Sequence, residues 1–319
     1  MLNWNRLVHL LLPVAFLGFA LPCAHATNYL FGAGKYNVFV QNYFNYTGPD
    51  SVGAVAAGGN MAITGASVSL ASGYNTANFP YYSVVAGGTL SCPNTCIADG
   101  NIHAAAESGT IYNNYSGGTN TVNSTQVIDF ANNFAELKGL STWLTAQTTT
   151  SGDSCSYNSA SNTLTCTGTK AGLNVINIPT TGTVNAGLLG TANLEFTTTV
   201  SGATLVLNVA GASSALGTSY GFKATDKQKV LFNYSATSLT LGGTIDASVL
   251  APWANVVTAA GASGQFTGNL IAQSFAGGGL EFENNLFNGD IPEPGTFVLM
   301  SAGLLLAVAA RRRAKRPTA

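Results

Sequence analysis

The chain has 319 residues, of which 8% are charged, with 12 Lys and Arg against 13 Asp and Glu. Ordinary soluble proteins carry about 25% charged residues, so we expect a surface made mainly of Asn, Thr, Ser and Gly. Between Thr27 and Asp290 there are six basic and twelve acidic residues, a net charge of about −6. This balance argues against a nucleic-acid partner, because such a partner requires a basic patch.

The first 26 residues have the organisation of a secretory signal peptide. A basic N-terminal region precedes an apolar run at residues 10–21, and an A-x-A cleavage site follows at Ala24 and Ala26. We therefore expect export and a mature chain that begins at Thr27. An uncleaved anchor is the alternative, which the short apolar run disfavours. Lipidation of Cys23 is a second alternative, which the residues before it disfavour because they do not form a lipobox.

Short strand-like units recur along the exported part of the chain. Each consists of a β-branched or Leu pair, then Ala, then a turn of small residues. They occupy residues 53–63, 83–90, 248–257 and 269–275. Ala251 and Ala272 lie 21 residues apart, and Ala56 and Ala86 lie 30 apart. Such periods indicate the rungs of a β-solenoid, in which each coil buries its apolar face against its neighbours. A β-sandwich with Gly-rich hairpins is the alternative.

Four cysteines follow the signal peptide, namely Cys92, Cys96, Cys155 and Cys166. An exported protein meets an oxidising environment, and the local spacing suggests the small-loop bridges Cys92–Cys96 and Cys155–Cys166. Four cysteines permit three pairings, and the sequence does not fix which one forms. A four-thiolate zinc site is the competing interpretation, but the spacing lacks C-x-x-C pairs.

One segment, from Thr125 to Gln147, departs from the β pattern. Its apolar residues recur at helical spacing, at Val127, Phe130, Phe134, Leu137, Leu140 and Leu144. Asn123 is a candidate N-cap, and Gln126 completes a capping box. Gly139 costs about 1 kcal/mol relative to Ala without breaking the helix. We expect one long amphipathic helix that packs along the outside of the sheet.

Catalytic patterns are scarce, so we expect neither enzymatic activity nor a cofactor. His103 is the one histidine after the signal peptide, which favours a structural or exposed role. Ser219 lies in a G-x-S-x-G match, but no histidine follows it, as a nucleophile elbow would require. Glu281 and Glu283 would face the same side of a strand. They offer a glycosidase acid and base, although a solvated sheet edge explains them equally well.

Aromatic residues crowd the first half of the chain among Asn and Gly. They are Tyr43, Phe44, Tyr46, Tyr74, Phe79, Tyr81, Tyr82, Tyr112 and Tyr115. Exposed Tyr beside Asn can stack on sugars and donate hydrogen bonds to them, which suggests contact with glycans. The alternative is that these residues are ordinary members of strands.

The C-terminal segment has three parts. The sequence Pro292-Glu293-Pro294 is followed by an uncharged apolar stretch from Phe297 to Ala310, then by the basic run 311–316, which begins Arg311-Arg312-Arg313. We expect the stretch at residues 297–310 to form a transmembrane helix, although it is shorter than the about 20 residues of a comfortable membrane span. The basic run places its C-terminus on the cytoplasmic side. A plain membrane anchor is the alternative to a sorting signal.

This segment, residues 291–316, resembles a PEP-CTERM signal, with Gly295 as a mild departure where Ser is commoner. The resemblance implies an exosortase as processing partner. It also implies transient anchoring in the inner membrane, followed by release or attachment at the cell surface.

Residues 28–288 resemble the choice-of-anchor A domain. The resemblance rests on residues 36–40, 55–60, 231–234, 238–241 and 243–252. The rungs at residues 250–252 and 270–272 also look like those of ice-binding-type β-helices. These likenesses imply an all-β, right-handed β-solenoid at residues 27–290 with one long helix packed alongside.

The expected function is a structural or adhesive role at the cell surface or in the extracellular matrix. The expected partners are exopolysaccharide or neighbouring surface proteins. Ice binding is the first alternative, although Thr163/Thr165 and Thr197/Thr199 do not repeat at the spacing of the rungs. A polysaccharide-active enzyme is the second.

Overall fold

A computed structural model of the protein describes residues 30–68, 81–113, 118–217 and 221–291. The predicted signal peptide, Ser219 and the segment from Pro292 onward lie outside these residues. The part before the helix contains nine strands: β1 Val38–Val40, β2 Phe44–Thr47, β3 Asp50–Ser51, β4 Val55–Ala57, β5 Met61–Ile63, β6 Ser67–Val68, β7 Val84–Ala98, β8 Ile102–Asn113 and β9 Asn120–Val122.

The helix α1 spans Phe130–Thr145. After it come β10 Ser154–Asn158, β11 Thr163–Gly168, β12 Gly172–Ile178, β13 Asn193–Thr198, β14 Ala203–Val209, β15 Ser213–Leu216, β16 Phe222–Ala224, β17 Val230–Tyr234, β18 Ser238–Leu241, β19 Ser248–Thr258, β20 Gly264–Thr267, β21 Leu270–Gly278 and β22 Leu280–Glu283. Short 3-10 helices occupy Phe31–Lys35, Ala186–Gly190 and Lys227–Lys229.

The strands stack as a parallel solenoid with three faces. The first face runs β12–β14–β17–β19–β21–β1–β4–β7–β8–β9, with every neighbouring pair parallel. The second face runs β15–β18–β19–β21–β2–β5–β7–β8. The third contains β11–β13–β16 and, further along the stack, β20–β22–β3–β6–β7–β8. Long strands such as β7 therefore bend through all three faces.

The order of coils in the stack differs from their order in the chain. The first coil of the chain, which starts at β1, stacks on its last coil, which starts at β21. Val38 pairs with Leu270 and Val40 with Ala272 on the first face, and Phe44 pairs with Phe275 on the second. The two ends of the described chain therefore meet in the middle of the stack, and the solenoid grows outward from this junction in both directions.

These pairings confirm the predicted solenoid-like β architecture with one helix; the hand of the coils stays a prediction. Ala251 and Ala272 are direct partners, as their spacing indicates. The other spacing is displaced by one residue, because Ala86 pairs with Ala57, and Ala56 with Val85. The period between these two rungs is therefore one residue shorter than the spacing of Ala56 and Ala86.

The central strands of the first face, such as β1 and β4, are buried on both sides, whereas β9 at the end of the stack is exposed. Alternate side chains such as Val38 and Val40 point into the solenoid core, whereas Phe39 points outward into a second apolar cluster with α1. Its ring stacks on Phe130 and Phe134, with centroids 5.0 and 5.5 Å away. Because both sides of these strands are covered, their sequences are continuous apolar runs rather than alternating ones.

The helix starts later than the sequence predicts. Its N-cap is Asp129, whose carboxylate accepts a hydrogen bond from the backbone N–H of Asn132 at 2.9 Å. Asn123 instead accepts from the backbone N–H of Thr125 in the preceding loop, and Val127 is 39% exposed. The predicted apolar face is otherwise the buried one, from Phe130 to Leu144.

A ladder of asparagines fixes the C-terminal half of α1 on the first face. Asn177, Asn208 and Asn233 are register partners on β12, β14 and β17. Asn233 Nδ2 donates to Asn208 Oδ1 at 2.8 Å and to the carbonyl of Ser141 at 3.1 Å, and Ser141 Oγ donates back to Asn233 Oδ1. Asn208 Nδ2 donates to the carbonyl of Leu144 at 2.6 Å. These buried amides set the register of the helix against the strands.

The end of the stack at β12 is capped. Thr150 exchanges hydrogen bonds with Val175 on the edge of β12, through its hydroxyl at 2.9 Å and its backbone N–H at 2.8 Å. On the third face, β10 pairs with β11 as an antiparallel hairpin. These caps satisfy edge groups that would otherwise be free to pair with another chain.

Both disulfides suggested by the spacing are present. Cys155 and Cys166 are direct partners across the β10–β11 hairpin, so the bridge fastens this cap. Cys92 and Cys96 close a corner of β7 between the second and third faces. Among the described residues, no group of three or more His, Cys, Asp or Glu is placed to hold a metal ion.

Replacement of Gly139 by Ala should stabilise the protein. Gly139 is an exposed residue in the interior of α1, and a Cβ there would meet no atom within 4 Å. We expect the free energy of unfolding to rise by about 1 kcal/mol, the difference in helix propensity, as measured by denaturant titration. Gly58→Ala is the matched control and should destabilise, because its Cβ would lie 2.3 Å from the carbonyl oxygen of Gln41.

Replacement of Asn233 by Ala should cost about 2–3 kcal/mol of unfolding free energy, because it leaves buried partners on Asn208 and Ser141 without hydrogen bonds. Asn177→Ala, at the exposed end of the same ladder, should cost about 1 kcal/mol or less. Equal losses for the two variants in the same denaturant titration would contradict a buried ladder that positions the helix.

Candidate adhesive surface

The outer side of the second face carries a continuous row of small, uncharged side chains. Successive strand registers align eight positions along it: Ala215, Thr240, Val257, Ala276, Asn45, Ala62, Ser91 and Ser108. Each is at least partly exposed. With strands about 4.8 Å apart, the row extends over roughly 34 Å. We call it the second-face row.

Charge is nearly absent from this surface. Within the described strand segments of the second face, Glu107 is the one charged residue, and it occupies the inward position opposite the core residue Leu90. Its Oε1 is buried without a hydrogen-bond partner, and burial raises the pKa of this carboxyl above its usual value. The outer surface therefore offers small apolar groups, hydroxyls and amides, and no long-range field.

The backbones of neighbouring rungs approach each other closely at the edge of the second face. At Gly278, a Cβ would lie 1.6 Å from the carbonyl oxygen of Thr47 on the neighbouring coil. Only glycine fits this approach of two backbones. The corner between the second and third faces is therefore tight at the junction of the first and last coils.

A second polar patch lies on the third face near the capped end. Thr163, Thr165 and Thr167 project from the outer side of β11, and Thr167 Oγ1 is 3.1 Å from Thr197 Oγ1 on β13. The array does not continue along the stack. Thr165 is the partner of Glu195, which lies 3.9 Å from the ammonium group of Lys223 on β16. The hydroxyl array thus stops at an ion pair.

The aromatic residues divide between core and surface. Phe44 and Tyr46 are buried between coils, and the Tyr46 hydroxyl donates to the carbonyl of Leu280 at 2.7 Å. Burial, with Asp50 and Glu281 nearby, raises the pKa of Tyr46. Among the described residues, the exposed aromatic rings are Tyr43, Tyr81 and Tyr112, at 39, 72 and 60%, and contact with glycans through such rings stays a prediction. Tyr74, Phe79 and Tyr115 lie outside the described residues.

His103 and the two glutamates are not brought together. His103 is 3% exposed; its Nε2 is 3.2 Å from Asn123 Oδ1, and its ring meets Tyr82 edge-on at 5.2 Å. Glu281 and Glu283 lie on the outer side of β22 on the third face, where Glu283 accepts a hydrogen bond from Gln265 Nε2 at 2.9 Å.

Among the described residues, no helix is long and apolar enough to cross a membrane.

Glu107→Gln should make stability less dependent on pH. A carboxyl whose folded pKa is raised binds its proton more tightly in the folded state, so wild-type stability is lowest well above that pKa. The wild-type protein regains this stability as the pH falls through the raised pKa of Glu107 towards the ordinary value of 4.5, because the carboxyl then becomes protonated and neutral. We expect the variant to be more stable than the wild type at pH 7 and equal to it near pH 4, as measured by thermal melting. A difference that does not change with pH would contradict this origin.

Two family models match the chain. The ice-binding-like adhesive domain matches residues 30–284, and the PEP-CTERM protein-sorting motif matches residues 290–313. Neither names choice-of-anchor A. No curated protein matches the sequence.

Among solved structures, an ice-binding protein from an Arctic yeast, described for its antifreeze activity, is 11% identical at a TM-score of 0.36, covering 85% of this chain and 97% of that chain. A likeness of this size says nothing about activity. The match to the adhesive domain covers most of the described residues. The match to the sorting motif begins at residue 290, next to the last described residue, Ile291. The chain therefore belongs to the ice-binding-like adhesive domain family and carries a PEP-CTERM sorting motif.

Proposed function

We propose that the protein is a non-enzymatic adhesive domain that acts at the cell surface or in the extracellular matrix. The sorting motif implies export, transient membrane anchoring and processing by an exosortase. The domain then holds neutral exopolysaccharide, or the uncharged surfaces of neighbouring proteins, through the second-face row.

The observation that carries this proposal is the continuous uncharged surface of the second face. Its eight aligned positions repeat at the strand spacing, so an extended polymer lying along the stack would meet the same kind of contact at each coil. Each contact is weak, since no charge and few long side chains take part. Adhesion of this kind depends on many contacts made together, which multiplies their effect.

Ice binding is the second candidate, favoured by the family description and by the hydroxyl array of β11 and β13. Purified protein would then show thermal hysteresis, and Thr165→Tyr would remove it because the large ring breaks the flat array. Absence of thermal hysteresis in the wild-type protein would eliminate this candidate. An enzymatic role through Glu281 and Glu283 would require glycan cleavage that Glu→Gln changes at both positions abolish.

Adhesion should be lost when charge is placed on the second-face row. Asn45→Glu together with Val257→Glu introduces two carboxylates at exposed positions. Their desolvation opposes burial against a neutral polymer. We expect retention on isolated matrix polysaccharide and on cells lacking the gene to fall at least about tenfold, a loss of about 1.4 kcal/mol.

The matched control is Ser156→Glu together with Asn158→Glu, which adds the same charge to exposed positions of β10 on the third face, in the hairpin that caps the stack. Melting curves confirm that both variants fold. Equal retention of both would place adhesion elsewhere on the molecule. A wild-type protein that binds neither matrix nor cells would contradict the adhesive function itself.

A further inference from the structure

The chain after β22 is strapped across the solenoid up to the residue that precedes the sorting motif. We call residues 284–291 the strap. The backbone N–H of Phe287 donates to Asn269 Oδ1 at 2.7 Å, and that of Asn288 donates to the carbonyl of Gln228 at 2.8 Å. The strap thus runs from the last coil of the chain, at β21 and β22, towards the end of the stack at β12.

Its far end is fixed at β14. The backbone N–H of Asp290 donates to Thr204 Oγ1 at 2.6 Å, and Gln228 Nε2 donates to the carbonyl of Leu286 at 3.2 Å. Phe287 is 4% exposed and Ile291 is 1% exposed. Both belong to the apolar cluster between α1 and the first face. Pro292 of the sorting motif follows Ile291 directly in the sequence.

We propose that the strap must detach from the domain before the Pro292-Glu293-Pro294 site is processed, so that strap opening sets the rate of release from the membrane. This inference rests on the proposed processing by an exosortase. An enzyme that cuts or transfers a peptide bond must hold extended chain on both sides of that bond. On the upstream side, Asp290 and Ile291 are occupied by the domain.

Opening of the strap is a local event that leaves the coils intact. Such local openings need far less free energy than global unfolding. When opening and closing are fast relative to cleavage, the cleavage rate follows the open population. Loss of one strap hydrogen bond, worth about 1 kcal/mol, should therefore raise the open fraction, and with it the processing rate, about fivefold.

The test uses variants on the domain side, which are distant in sequence from the motif that the enzyme recognises. Thr204→Val removes the acceptor for Asp290, and Gln228→Ala removes the donor to Leu286. Thr267→Val is the matched control, because its buried hydroxyl has no hydrogen-bond partner. Full-length chains are followed in the native cell by pulse-chase, with the mature C-terminus read by mass spectrometry.

We expect about fivefold faster processing for Thr204→Val and for Gln228→Ala, and no change for Thr267→Val. Purified protein should show parallel increases in cleavage within the strap by proteinase K. Unchanged processing in both strap variants, with the strap cut faster by proteinase K, would overturn the proposal because opening would then not limit processing.

A reversible lock tests the same step in the other direction. Thr204 Oγ1 lies 2.6 Å from the backbone nitrogen of Asp290, so the two Cα atoms are within about 6.5 Å of each other, a separation that a disulfide can span. Thr204→Cys with Asp290→Cys therefore introduces a bridge between the strap and β14. The oxidised form should be processed at least about tenfold more slowly than the same variant after mild reduction. Equal rates in the two forms, with the bridge verified by mass spectrometry, would overturn the strap proposal. A wild-type chain that is never processed would instead contradict the exosortase step of the proposed function.

Discussion

The pairing of the first coil with the last is the constraint on which the rest of the structure depends. Val38 and Leu270 are direct partners although they are separated by most of the chain. Without this contact, each half of the solenoid would present an open parallel edge, which favours association with other chains. Closing so large a loop costs entropy that only a broad interface can offset. The interface between the first and last coils offsets this entropy through backbone pairing on all three faces. Asn37 and Asn269 add to it, because their side-chain amides donate hydrogen bonds to carbonyls of the opposite half.

The junction also explains the helix. The chain leaves the stack at β9, at one end, and re-enters it through the β10–β11 hairpin and β12, at the other, so the connection must travel the full length of the solenoid. With 16 residues the helix supplies about 24 Å of this path. It covers the apolar outer side of the first face together with Leu30, Phe287 and Ile291. The helix is therefore part of the connection and also covers the first face. The asparagine ladder fixes the position of its C-terminal half on that face.

Much of this architecture follows from the sequence, and the parts that do not have physical reasons. Apolar runs such as Val38-Phe39-Val40 indicate strands buried on both sides, and helical spacing from Phe130 to Leu144 indicates the helix. The junction of the first and last coils cannot be predicted from the sequence, because the order in which coils stack depends on long-range contacts that leave no local pattern. The second-face row is equally hidden, since its members become neighbours only through register. The asparagine ladder left a readable trace: Ile176-Asn177-Ile178, Leu207-Asn208-Val209 and Phe232-Asn233-Tyr234 each interrupt an apolar strand with Asn.

In the proposed function, the strap that precedes the sorting motif and the second-face row lie on different faces of the solenoid, so anchoring and adhesion would not compete for one surface. The strap contacts residues at the first face, at Asn269 and Thr204, and its Phe287 and Ile291 pack in the same apolar cluster as the helix. The second-face row lies on strands that the strap does not cross, from β15 to β8. Under the proposed function, a domain still tethered to the membrane would keep the second-face row free, and release would change where the domain acts without changing what it can hold. Low charge fits this arrangement, because a surface that works by many weak contacts gains nothing from a field that would also attract ions and charged lipids.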